Sequence, residues 1–112
     1  MESSPFIPLD TVRAASAFAA LGSEQRLEVL RTLVRAGPNG LPIGTLGERS
    51  GVTGSTLTHH LRILREAGLV SQAKVGRKII CVGVAYERAR ELAEFFLKEC
   101  CADSPEKDHN HG

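Results

Sequence analysis

The sequence predicts a mainly α-helical domain with one small β-hairpin, and three observations carry that prediction. Apolar residues recur at three- and four-residue spacing through most of the chain, and two of the helical segments meet at a short turn containing Gly. After Gly68 the period switches to β-branched runs separated by a Gly-Arg turn. A length of 112 residues suits one domain and excludes a large enzyme scaffold such as a (β/α)₈ barrel. With 4% aromatic residues and no Trp, the core must come from Leu, Val, Ile and Ala. So small a chain buries its surface inefficiently, and a dimer is expected.

The domain is expected over residues 9–101, between an N-terminal extension at 1–8 and a polar, disordered tail at 102–112. The first helix runs from about Leu9 to Leu21, its Ala residues around Phe18 giving helix propensity and room for a close neighbour. Gly22-Ser23 breaks it, with Ser23 as N-cap of a second helix in which Leu27, Leu30, Leu33 and Val34 form the apolar stripe. AGPNGLP then reads as a loop. A short helix from about Ile43 to Arg49 ends at Gly51, suited to the left-handed conformation past a helix end, and a longer one starts after Thr53 as its cap and stops at Gly68. Two helices joined this way have the layout of a helix-turn-helix. The runs LVSQAKV and KIICVGV form the hairpin, and a last helix spans about Tyr86 to Cys101 with Ala89, Leu92, Ala93, Phe96 and Cys100 on one side.

The net charge of +1 conceals an asymmetry. From Arg26 to Lys78 there are nine Lys and Arg against three Asp and Glu, or +6; the rest has five against ten, or −5. Positive charge concentrated in the middle of the chain, in a block that includes the helix-turn-helix and hairpin, is the footprint expected of a nucleic-acid-binding face. No stretch approaches the ~20 apolar residues that span a bilayer, and MESSPFIPLD lacks the pattern of a signal peptide. A cytosolic protein with no membrane partner is expected, so the odd number of Cys points to reactive or metal-binding thiols over disulfides.

On the helix after Thr53, Leu57, Leu61 and Leu64 share one face with His60 at its edge, while Ser55, Thr58, His59, Arg62 and Glu66 cluster opposite. Small hydroxyl residues near a helix N-terminus allow close approach to a major groove, and Arg supplies donors for bases and phosphates. Thr53, Ser55, Thr56, Thr58, His59 and Arg62 are therefore candidate contacts to double-stranded DNA, and His60 reads as a packed structural residue. Lys74, Arg77 and Lys78, at or beside the hairpin tip, are candidate contacts to the phosphate backbone.

This order of elements resembles the ArsR/SmtB family of winged helix-turn-helix repressors, over about Val12 to Cys101. The likeness rests on ALGSEQRLEVLRTL, on GVTGSTLTHHLRILREAGLVSQ and on the hairpin with VGRK, and STLTHHLRILREAGLV is similar to the family's recognition helix. The resemblance implies a homodimer held by its first and last helices, an operator read by the helix carrying Ser55 to Arg62, and release by an inducer. Gly54 departs from the family, whose members often carry Gln there. A Cys-x-Cys site on the helix before the recognition helix and an Asp/His zinc site on the last helix are both missing, since PIGTLGERSGV has no Cys and YERARELAEFFLKECC has neither Asp nor His.

Cys100 and Cys101 remain, and they resemble the C-terminal vicinal pair of arsenical-sensing members. Adjacent residues on a helix point about 100° apart, but a fraying end lets two sulfurs converge on one soft ion. Trivalent arsenic or antimony is the expected inducer, as arsenite or, with two thiolates only, as methylarsenite, whose carbon occupies the third position. Cys81, in the second hairpin strand, is expected to pack in the sheet. His109 and His111 in the tail are weaker metal candidates. No resident cofactor is required. The rival readings are a redox or persulfide sensor of the same fold and a small thiol metal buffer or thiol enzyme; no His stands near the pair in a structured segment to act as base.

Overall fold

The computed structural model describes residues 9–83 and 85–105. Among the described residues, five helices and a three-stranded sheet follow in the order α1 (Thr11–Ala20), α2 (Glu24–Ala36), β1 (Leu41–Pro42), α3 (Ile43–Ser50), α4 (Gly54–Glu66), β2 (Val70–Val75), β3 (Lys78–Gly83) and α5 (Ala85–Leu97). Local chemistry sets the helix ends. Asp10 caps α1, accepting from the Arg13 amide at 2.8 Å, and Ser23 caps α2, accepting from the Arg26 amide at 3.3 Å. Gly51, at φ 79°, closes α3 in the left-handed conformation that turns the chain into α4.

The core is aliphatic. Val29, Leu33, Leu46, Leu61, Leu64, Leu69 and Cys81 are fully buried, and each Leu or Val so placed contributes on the order of 1.5–3 kcal/mol. In α1 the small residues Ala14, Ala17 and Ala20 face inward. The stripe expected on α2 is rotated: Val29, Leu30 and Leu33 are buried, whereas Leu27 and Val34 stand 41% and 49% exposed. At 100° per residue Val29, Leu33 and Leu30 span one arc of about 100°, and Val34 and Leu27 lie together past one edge of it, where they face outward.

The sheet is antiparallel throughout, in the order β1-β3-β2. The segment expected to be only a loop supplies β1, where Leu41 pairs with Cys81 and Pro42 with Ile80. An edge position tolerates Pro, which has no amide to donate. Gly40 makes the approach possible, because a Cβ there would collide with the Cys81 carbonyl.

The last helix ends four residues earlier than the expected Cys101. Beyond Leu97 the chain continues as turns, with Cys100 N bonding Leu97 O at 2.8 Å, Ala102 N bonding Glu99 O and Ser104 N bonding Cys101 O, both at 3.0 Å. Phe95 is the last side chain packed against the core, and Cys is a weak helix former, so core packing does not extend to a further helical turn. The apolar side expected for α5 is also split: Leu92 is buried, whereas Ala89, Ala93 and Phe96 are exposed. Of the expected disordered tail, residues 102–105 form turns and bends, and the remainder, with His109 and His111, lies outside the described residues, as does the extension at 1–8.

Candidate functional site

The helix-turn-helix presents its polar side outward. Leu57, His60, Leu61 and Leu64 of α4 are buried, while Thr53, Ser55, Thr56, Thr58, His59 and Arg62 are all exposed, as 100° spacing requires. No acidic residue occupies the first turn of α4, so the partial positive charge of its N-terminus is not neutralised there. Thr53 has the extended backbone of an N-cap but makes no side-chain capping hydrogen bond, and the residue is exposed. Gly54 has φ +65°, a left-handed conformation that a Gln side chain would strain.

Arg62 Nη2 and His59 Nδ1 lie 3.2 Å apart, so Arg62 donates to the ring and the two side chains form one exposed unit. His60 turns the other way. Its Nε2 lies 2.9 Å from Gln25 Oε1 and its Nδ1 lies 3.3 Å from Arg26 Nη1. Burial, then the Arg26 charge, then His59 lower its pKa. The expectation of a structural His60 thus acquires partners, Gln25 and Arg26, that no local pattern announced. The hairpin turn lies at Gly76-Arg77, with Lys74, Arg77 and Lys78 exposed around it.

The thiols divide into two environments. Cys81 is buried in β3, accepts from Gln72 Nε2 at 3.4 Å and has its pKa raised by burial. Cys100 and Cys101 are exposed, and their Sγ atoms lie 3.4 Å apart. The turn accomplishes what a regular helix would prevent, with Cys101 held at φ 64°. The contact with Cys100 raises the pKa of the Cys101 thiol. Among the described residues, no group of three or more His, Cys, Asp or Glu is placed to hold a metal ion. Also among them, no helix is long and apolar enough to cross a membrane.

An exposed polar recognition helix, a left-handed Gly turn before it and a basic hairpin after it define a winged helix-turn-helix DNA-binding protein. Residues 21–73 match the model of a helix-turn-helix domain family. A solved ArsR-like transcriptional regulator from Rhodococcus sp. RHA1 is 33% identical, superposes with a TM-score of 0.67 and is matched over 82% of each chain. The HTH-type transcriptional regulator NmtR of Mycobacterium tuberculosis is 42% identical over 79 residues, which is 68% of this chain and 63% of that protein. A homodimeric winged helix-turn-helix domain from Mycobacterium bovis, 19% identical with TM-score 0.63 over 88% of this chain and 89% of its own, shares the fold. The chain belongs to the ArsR family of transcriptional regulators, which act by binding DNA and are not enzymes.

Proposed function

We propose that this chain is a dimeric repressor released from its operator by a trivalent arsenical bound between Cys100 and Cys101. The observation that carries the reading is the 3.4 Å approach of two exposed sulfurs in a turn. Two converging thiolates can displace two oxygen ligands from trivalent arsenic and form a closed chelate. Because the described residues bring no third His, Cys, Asp or Glu to the pair, it fits a species such as methylarsenite, with carbon in the third position. Arsenite or antimonite would need a donor from outside the described residues or from a partner subunit.

The dimer reading rests on exposed apolar surface. Val12 and Phe18 of α1 are 77% and 46% exposed, and Tyr86, Phe96 and Leu97 of α5 are 73%, 76% and 55% exposed. A second copy that packs α1 and α5 against their equivalents would cover them. Each protomer would then place Ser55, Thr56, Thr58, His59 and Arg62 toward a major groove, with Thr53 at the helix start and Lys74, Arg77 and Lys78 on flanking phosphates.

The test is to titrate a protein–operator complex with methylarsenite, arsenite, antimonite and cadmium in a phosphine reductant, since dithiol reductants chelate arsenic themselves. Methylarsenite should release the DNA, and by linkage operator should weaken arsenical binding by the same factor. Unchanged release from both Cys100→Ser and Cys101→Ser would overturn the assignment. The same sulfur approach also favours a second reading, release by oxidation or persulfidation of the pair. Peroxide for oxidation, or a polysulfide for persulfidation, added to reduced protein freed of phosphine and without metalloid, separates the two.

A further inference from the structure

We propose that Arg26 and His60 are positioning residues that pass the state of the α1–α5 face to the DNA-reading side of α4. The thiol reading above enters only as the identity of the inducer.

The contacts are continuous. The turn holding Cys100 bonds back to the Leu97 carbonyl at 2.8 Å. One residue earlier, Phe96 meets Phe18 of α1 edge to face, with ring centroids 6.5 Å apart and planes at 65°. Two residues after Phe18, α1 ends at Ala20, whose carbonyl accepts from Arg26 Nε at 2.7 Å. The same guanidinium reaches His60 Nδ1 with Nη1 at 3.3 Å. Arg26 therefore bridges the end of α1 and the recognition helix.

His60 makes that bridge consequential. It is the one buried polar side chain of the described core, 7% exposed, and both its ring nitrogens have partners. A guanidinium only donates, so Nδ1 accepts and Nε2 carries the proton given to Gln25 Oε1. Withdrawing Arg26 leaves a buried acceptor unsatisfied, which favours a shift of the His60 ring and of the helix that carries it. The next residue, His59, has its ring 5.5 Å from that of His60 and accepts from Arg62 on the exposed face. A shift of the His60 ring thus reaches the side chains placed to read DNA.

Arg26 also has somewhere to go. A cleft of about 240 Å³ between α1 and α4 is lined by Ser16, Ala20, Arg26, Glu66 and Ala67. If a change at the α1–α5 face moves the Ala20 carbonyl, the guanidinium can leave His60 and face the Glu66 carboxylate across this cleft. The bridge then has two arrangements, as a transmitting element requires.

The experiment measures operator affinity by fluorescence anisotropy, with and without saturating methylarsenite, in wild type, Arg26→Lys and Glu66→Gln. A Lys keeps the charge but replaces the guanidinium fork, Nε to Ala20 and Nη1 to His60, with a single ammonium centre that lacks its fixed two-nitrogen geometry. Arg26→Lys should bind one arsenical per Cys pair as wild type does, while the arsenical-induced loss of operator affinity shrinks at least fivefold, within the ~5–150-fold span of typical couplings. Glu66→Gln should also retain more operator at saturation. An undiminished loss in Arg26→Lys overturns the proposal.

A second arm needs no inducer. In the metalloid-free protein, with the dimeric fraction verified by sedimentation, the operator-affinity losses of Phe96→Leu and Arg26→Lys should combine less than multiplicatively, by about threefold or more. Losses that simply multiply overturn the relay. If wild type is not released by any arsenical, the thiol reading fails and this cycle alone decides the relay.

Discussion

The recognition helix and the last helix bury their apolar residues in opposite degrees. In α4, Leu57, Leu61 and Leu64 all point inward, and the opposite face is polar and exposed. Among the described apolar side chains of α5, only Leu92 is buried and Phe95 partly so, while Tyr86, Phe96 and Leu97 face outward. One region is completed by its own chain, and the other carries apolar surface that a single chain leaves uncovered. The difference locates stability in the helix-turn-helix and leaves the α1–α5 end to be set by whatever packs on it.

The largest effects should separate these two regions. Leu64→Ala, at a fully buried position, should cost about 2–5 kcal/mol in urea unfolding, independent of protein concentration. Phe96→Ala should cost little in the monomer and lower the midpoint only where dimer is populated, so its effect should grow with concentration. A concentration-independent loss from Phe96→Ala would remove the distinction.

Next come the thiols. Cys100→Ser and Cys101→Ser should each keep operator affinity within about threefold and abolish arsenical release, a loss of the order of 1–3 kcal/mol of coupling. Cys81→Ser should retain release, because its sulfur is buried in the sheet.

Smaller changes belong to the polar face. Arg77→Ala with Lys78→Ala should weaken all DNA sequences alike and reduce the slope of log affinity against log salt by about two. Arg62→Ala should instead change base preference, by about 1–3 kcal/mol where it pairs with a base. Uniform weakening by all three would leave α4 without a base-reading role.

The smallest effect concerns pH. The folded pKa of His60 lies below the unfolded value, so the folded state resists the proton. The associated stability is fully present above the unfolded value near 6.5 and is lost as pH falls from there through the folded pKa. Urea midpoints should fall with acid in wild type across that window and fall less in His60→Gln.

Much of this contrast is readable in the sequence, since the 100° spacing of Leu57, Leu61 and Leu64 assigns α4 its two faces before any coordinates exist. Gly51 and Ser23 likewise announce the helix ends they set. The rest depends on long-range neighbours. Leu41–Pro42 becomes a strand only because β3 lies alongside, 38 to 40 residues later in the register Leu41–Cys81 and Pro42–Ile80. Gln25 and Arg26 sit 35 and 34 residues from His60, beyond the reach of any local pattern. The early end of α5 has a similar origin, because apolar periodicity records which residues could pack and not whether a partner surface reaches them.

Cys81 has a further use as a reporter. At 0% exposure, with its thiol pKa raised, it is screened from alkylating reagents for as long as β3 stays paired with β1 and β2. In a variant with Cys100 and Cys101 both changed to Ser, every alkylation event would mark an opening of this strand. Pulsed labelling would then clock the opening of the wing's central strand and, where closing outruns the reagent, give its free energy, with and without operator bound.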